Sequence, residues 1–225
     1  MRDELERQIE QLRGSVVAMG ERADQMLGQA LAALRERDVD AAERVIEADD
    51  AVDRAYEQVQ NGVLAVVALH GPVGHDLRLL TSLIHVSLHA ERMADYAAGV
   101  ARITTWAADD APDQDLLEQL LEMGDLARAV GQQALEAFVE VDPDKARAVS
   151  VLDDGVDRLN TGIFQRLVRL ASTDDELLRW ATRMIQLTRA LERFADHGVD
   201  IAEQAIFVAT GETVDLTRGP GPAAV

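Results

Sequence analysis

The side chains best placed to do chemistry are carboxylates in pairs four residues apart: Asp49 with Asp53, Glu91 with Asp95, Asp153 with Asp157, and Glu192 with Asp196. On a helix that spacing puts both members on one face, one turn apart. Glu91-Arg92-Met93-Ala94-Asp95 returns as Glu192-Arg193-Phe194-Ala195-Asp196, and Asp49-Asp50-Ala51-Val52-Asp53-Arg54 returns as Asp153-Asp154-Gly155-Val156-Asp157-Arg158. Ionised carboxylates crowded together raise one another's energy and need a cation or protons between them. An all-oxygen set suits hard cations such as magnesium, calcium or manganese, and carboxylate-rich sites also take iron or zinc. The eight acids are therefore candidate metal ligands, with the identity of the metal left open.

Helices must position them. From Asp3 to about Arg37, apolar residues recur at Leu5, Ile9, Leu12, Val16, Met19, Ala23, Met26, Ala30, Leu31 and Leu34, a three-and-four spacing that only a helix places on one side. Asp38 can cap a second helix, whose stripe of Val45, Val52, Val59 and Val66 runs to about Leu69. His70-Gly71-Pro72-Val73-Gly74 breaks the pattern, because proline cannot continue a helix. A third helix is expected from about Asp76 to Trp106, with Leu77, Ile84, Glu91 and Ala98 on one seven-residue row. Residues 107–113 read as a linker, and helical periodicity restarts at Leu116.

The second half repeats the first. Met19-Gly20 corresponds to Met123-Gly124, Gln29-Ala30-Leu31 to Gln133-Ala134-Leu135, Asp38 to Asp142 and Asp53 to Asp157, all at an offset of 104. From Glu91 to Glu192 the offset is 101, a deletion that falls where Gly71-Pro72 gives way to Ser172-Thr173-Asp174. Deletions collect in loops, so its position supports the helix boundaries. The expected fold is all-α: two tandem three-helix bundles related by internal duplication and joined in line, the first over residues 1–107 and the second over 108–210. Residues 211–225, with Gly219-Pro220-Gly221-Pro222, lack periodicity and read as a disordered tail.

Register links the pairs. Measured from a turn near residues 71–72, Asp53 and Glu91 stand about 18 and 20 residues away and Asp49 and Asp95 about 22 and 24, so at roughly 1.5 Å per residue all four share one level. Around residues 173–174, Asp157 and Glu192 stand about 17 and 19 residues away and Asp153 and Asp196 about 21 and 23, which gives the same match. Glu192 also sits on a row with Leu178, Ile185 and Val199, otherwise apolar, as Glu91 does with Leu77 and Ile84. His197 and Tyr96 are each next to one of these acids and could line the same region.

A plainer account competes. Glu6 with Glu10, Glu43 with Glu47 and Glu118 with Glu122 have the same spacing, and most such pairs are solvated faces. Arg92 and Arg193 could neutralise the acids as ordinary ion pairs. Trp106, Trp180, Met19 and Met123 read as packing residues rather than cofactor contacts. What favours a site is the register match of four acids, repeated.

Composition narrows the rest. Hydrophobic residues make up 48% of the chain but aromatics only 4%, so the core must be aliphatic, as in helical bundles. The net charge of -19 repels nucleic acid, and no basic cluster overrides it. There is no cysteine, which excludes disulfides and thiolate metal sites and fits a cytoplasmic location. The charged N-terminus lacks a signal core, and the longest apolar run, Val63 to Leu69, is too short for a direct membrane insertion.

With these residues in view the chain resembles the PhoU family of bacterial phosphate-uptake regulators, whose signature is a twice-repeated E/D-x-x-x-D motif on paired three-helix bundles. The match is carried by the four acidic segments together with Asp76-Leu77-Arg78, Tyr96 and His197, over about residues 3 to 210. Gly99 and Asp200 depart from it, standing where the family has a polar amide. The resemblance implies a non-enzymatic, metal-binding adaptor that dimerises and links the phosphate ABC transporter to the sensor histidine kinase of the phosphate regulon, acting as a negative regulator of uptake. A carboxylate-bridged di-metal enzyme is one rival, but none of the five histidines has the Glu-x-x-His spacing such sites use. No Gly-x-x-x-x-Gly-Lys loop supports an NTPase either. A purely structural bundle is the other rival, and metal titration separates it from the adaptor.

Overall fold

The computed structural model describes residues 2–110, 113–172 and 175–217. Within them are six helices: α1 (Arg2–Glu36), α2 (Val39–His70), α3 (His75–Ala107), α4 (Gln114–Glu140), α5 (Pro143–Ala171) and α6 (Asp175–Thr210). No strand interrupts them among the described residues.

The helix ends show the duplication at atomic level. Arg37 and Val141, equivalent positions, both close a helix in the left-handed conformation, at φ 56° and 53°. The next residue in each copy turns the chain: Asp38 and Asp142 donate backbone N–H groups to the carbonyls of Ala33 and Ala137, both at 3.0 Å. The same aspartates cap the following helix, accepting from Ala41 N at 2.8 Å and from Asp144 N and Lys145 N at 2.9 and 3.0 Å. Gly71, left-handed at φ 56°, ends α2 ahead of Pro72, as the sequence signals. In the second copy Ser172 closes α5, while Thr173 and Asp174 lie outside the described residues.

Packing follows the apolar stripes. Val45, Val52, Val59 and Val66 are buried on α2, and Val149, Val156 and Ile163 repeat them on α5. Helices α1, α2 and α3 form one bundle and α4, α5 and α6 the other. The bundles do not stand in line as expected. They lie side by side, α3 along α6 and α1 along α4, and one continuous hydrophobic core runs through both, mostly aliphatic but with Phe138, Phe194 and Trp180 in it. Pseudo-twofold contacts mark the seam: a side chain on Gly20 would meet Leu135, and one on the equivalent Gly124 would meet Leu31. Asp24 accepts from Arg128, its own equivalent position plus 104, at 2.9 Å twice. Across the front the helix order is α2, α3, α6, α5, with α1 and α4 packed against it.

Trp180, Met19 and Met123 are buried packing residues, whereas Trp106, 52% exposed, ends α3 at the surface. The segment after α6 departs from expectation. Residues 211–217 fold back instead of hanging free: Val214 and Leu216 pack on the core, and the Leu216 N–H donates to Glu203 Oε1 at 2.8 Å. Residues 218–225, the rest of the expected tail, lie outside the described residues. No described helix is long and apolar enough to cross a membrane.

Candidate metal centres

The antiparallel pairing of α2 with α3 brings Asp49, Asp53, Glu91 and Asp95 into one electrostatic group, and that of α5 with α6 does the same for Asp153, Asp157, Glu192 and Asp196. The two groups are built alike. Asp53 and Asp157 are exposed, and the other six acids are half-buried. The row holding Glu91 runs from exposed Leu77 through half-buried Ile84 to buried Ala98, and that of Glu192 runs from exposed Leu178 through Ile185 to buried Val199. Each glutamate therefore stands at the margin of the core, where water is thin but access remains.

The environment disfavours negative charge. Burial, reinforced by Asp95, Asp53 and Glu91, pushes the Asp49 carboxyl up to about 6. Burial and the carboxylates of Asp157, Asp196, Asp154 and Glu192 push Asp153 up to about 7. Glu91, Glu192 and Asp196 are also raised, by burial first. The arginine alternative is realised in part. Arg92 Nη1 contacts Asp95 Oδ2 at 3.0 Å, and Arg193 Nη1 contacts Asp196 Oδ2 at 3.1 Å. These pairs are largely exposed and oppose the upward shifts without cancelling them.

Two oxygens are left over. Asp49 Oδ1 and Glu91 Oε2 are buried without a hydrogen-bond partner, although Glu91 Oε2 lies 3.3 Å from Arg92 Nε in a geometry that makes no hydrogen bond. A buried, unpaired carboxylate oxygen is costly, and a cation would remove the cost. The donor type, carboxylate oxygen throughout, suits a hard cation: Asp49, Asp53, Glu91 and Asp95 in the first group, which holds both orphaned oxygens, and the matching Asp153, Asp157, Glu192 and Asp196 in the second.

A third group is more compact, and it lies between the repeats. His89 on α3 faces His197 and Asp200 on α6, with His89 Nδ1 to His197 Nδ1 at 3.1 Å, His197 Nδ1 to Asp200 Oδ2 at 3.2 Å and His89 Nδ1 to Asp200 Oδ2 at 3.3 Å. Among the described residues it is the one set of three or more potential ligands whose atoms all converge within 4.8 Å; the acidic groups are wider. Tyr96 stacks on the His197 ring, centroids 5.7 Å apart. Burial holds the His89 imidazole down at about 4, with Asp200 opposing the shift and His197 and His85 adding to it. The repeat pattern could not have exposed this group, because His89 has no histidine at its equivalent position. Only the packing of α3 on α6 joins it to His197. The departure at Asp200 and the placing of His197 and Tyr96 beside the acidic pairs were the visible hints.

Comparison with known proteins agrees with the duplication. The PhoU domain model matches twice, over residues 16–104 and 120–205. The phosphate-specific transport system accessory protein PhoU homolog of Clostridium acetobutylicum is 29% identical over 212 residues, 94% of this chain and 96% of the relative. A protein of the same description from Streptococcus pneumoniae is 28% identical over 218 residues, covering 96% of this chain and all of the relative. The crystal structure of PhoU from Pseudomonas aeruginosa superposes with a TM-score of 0.87 at 28% identity, covering 92% of this chain and 99% of that one. The phosphate transport system regulatory protein PhoU from Streptococcus pneumoniae gives 0.85 at 26%, covering 94% and 99%. With both halves of the chain matched and the whole six-helix body shared, this chain belongs to the PhoU family.

Proposed function

We propose that this protein is a metal-binding accessory and regulator of phosphate transport, an adaptor that holds uptake and the phosphate regulon down when phosphate is plentiful. Its relatives are named phosphate-specific transport system accessory proteins. The observation that carries the metal half of the reading is the orphaned pair Asp49 Oδ1 and Glu91 Oε2 inside a carboxylate group that recurs in the second repeat.

The residues suggest how such an adaptor works. A cation supplies positive charge to oxygens that otherwise repel, so it lets α2 sit on α3, and α5 on α6, with their acids ionised. Asp53 and Asp157, the exposed members, are the ligands a partner surface can reach. The half-buried acids set the level at which the cation is held. The partners in this reading are the phosphate ABC transporter and the phosphate-sensing histidine kinase, approached from the cytoplasm by a homodimer.

The test is genetic. Phosphatase expression and phosphate uptake are measured in phosphate-rich medium with the gene deleted, then restored as wild type or as Asp53→Ala/Asp157→Ala. Derepression on deletion and rescue by the wild type alone is the expected result. Full rescue by the double variant would detach the acidic groups from regulation, and an unchanged deletion strain would remove the phosphate reading.

A further inference from the structure

The His89, His197 and Asp200 group asks for something that protons do not provide. A neutral imidazole offers either a proton or a lone pair at Nδ1, and an ionised carboxylate only accepts. If both Nδ1 atoms carry protons, both can donate to Asp200 Oδ2, which leaves the 3.1 Å contact between the two nitrogens without a hydrogen bond. If only one does, the bare nitrogen of the other ring faces the Asp200 oxygen, lone pair against lone pair. No single tautomer choice closes all three contacts.

One cation does. Metal–ligand distances of about 2.0–2.1 Å set neighbouring ligand atoms about 2.9 Å apart at a right angle and about 3.3 Å apart at the tetrahedral angle. The three observed edges of 3.1, 3.2 and 3.3 Å fall in that interval. The triangle is too small to hold an ion in its own plane at full bond length, so an ion bound by these three atoms would stand to one side of it. Access exists: the side chains of His89 and His197 are 18% and 20% exposed, and that of Asp200 is 39% exposed. Stacking by Tyr96 fixes the plane of the His197 ring, which limits what the site loses in ordering when it binds.

We propose that His89, His197 and Asp200 form a third metal site, distinct from the two acidic groups, that takes one nitrogen-preferring divalent ion such as zinc across the seam between the repeats. Two imidazoles and one carboxylate favour zinc and its transition-metal neighbours over magnesium or calcium, which seek oxygen. Because His89 belongs to α3 and the other two ligands to α6, the ion ties the two halves of the molecule together. The site shares no ligand with the acidic groups, although His197 and Asp200 act electrostatically on Asp196, and it does not rest on the phosphate reading.

Cobalt(II) is the probe, since nitrogen ligation in a site of low coordination number gives it a stronger visible absorption than six oxygens do. The full chain, stripped with chelator and supplied with excess magnesium to occupy the acidic groups, is titrated with cobalt(II). Absorption should saturate at about one equivalent, and His89→Gln and His197→Gln should each weaken binding by at least about tenfold. Asp49→Asn/Asp153→Asn should leave the band in place. A weak, oxygen-type spectrum in the wild type would overturn the proposal. So would a band that survives both histidine variants, or one lost in Asp49→Asn/Asp153→Asn. A second reading needs no variant: ligation through Nδ1 leaves an Nε2–H on each ring, so the cobalt form should show two strongly shifted exchangeable imidazole proton resonances. Their absence would equally sink the site.

Discussion

At the scale of single residues, Asp153 and Asp49 make a pH signature that an ordinary solvated acid would not. Asp153 rises from its usual 3.8 to about 7 in the folded chain. A carboxyl whose folded value is raised binds its proton more tightly when folded, so its stabilisation is present below the unfolded value and is lost as pH rises through the folded one. Metal-free protein should therefore lose stability between about pH 4 and about pH 7, and Asp49 should contribute up to about pH 6. Thermal unfolding in chelator across that range reads the effect. Asp153→Asn should raise the Tm near neutral pH and flatten the profile, and saturating divalent cation should flatten it in the wild type. A metal-free profile with no fall toward neutral pH would show that these acids are already compensated.

At the scale of the helix, the α1–α2 and α4–α5 connections spend two residues where a glycine would be the comfortable choice. A non-glycine residue in the left-handed region costs about 1 kcal/mol. Arg37, exposed at φ 56°, can give that energy back, so Arg37→Gly should stabilise the protein by up to about 1 kcal/mol in denaturant unfolding. Val141, at φ 53°, shares the strain but packs on the core, and Val141→Gly should gain less or nothing. Asp38→Ala removes the Ala41 cap and should cost about 1 kcal/mol. Equal stability of Arg37→Gly and wild type would mean that the turn relaxes at no cost.

At the scale of the whole molecule, the duplicated halves meet as an internal pseudo-dimer, and small residues allow it. A Cβ on Gly124 would stand 2.6 Å from both methyls of Leu31, which is itself buried. Helix propensity alone favours alanine over glycine by about 0.8–1 kcal/mol, while overpacking a tight core costs about 1–3 kcal/mol. Gly124→Ala should therefore destabilise by roughly 1 kcal/mol, and Gly14→Ala, whose Cβ would meet nothing within 4 Å, should stabilise by nearly as much. The contrast isolates the seam, because both glycines lie inside helices. A stabilising Gly124→Ala would show that α1 and α4 separate easily.

The sequence by itself determined the six helices, the caps at Asp38 and its repeat Asp142, and the register of the carboxylate pairs. Each of these depends on spacing within a helix, or on one short turn joining two antiparallel helices, and such relations are written in residue counts. Asp38, Asp142 and Gly71 announce where the chain turns, and the matched distances from the two turns place Asp53 beside Glu91 and Asp157 beside Glu192. Only the tertiary structure decided how the halves meet, because a duplicated sequence says nothing about which faces of its copies pack. That contact set α3 along α6, merged two cores into one, and joined His89 to His197 and Asp200 across 108 and 111 residues of chain. It also decided the depth of each acid: exposed Asp53 and half-buried Asp49 are one turn apart and look alike in sequence, yet burial raises the Asp49 carboxyl to about 6. Val214 and Leu216 were silent for the same reason, since two apolar residues outside any helix acquire meaning only from the groove that receives them.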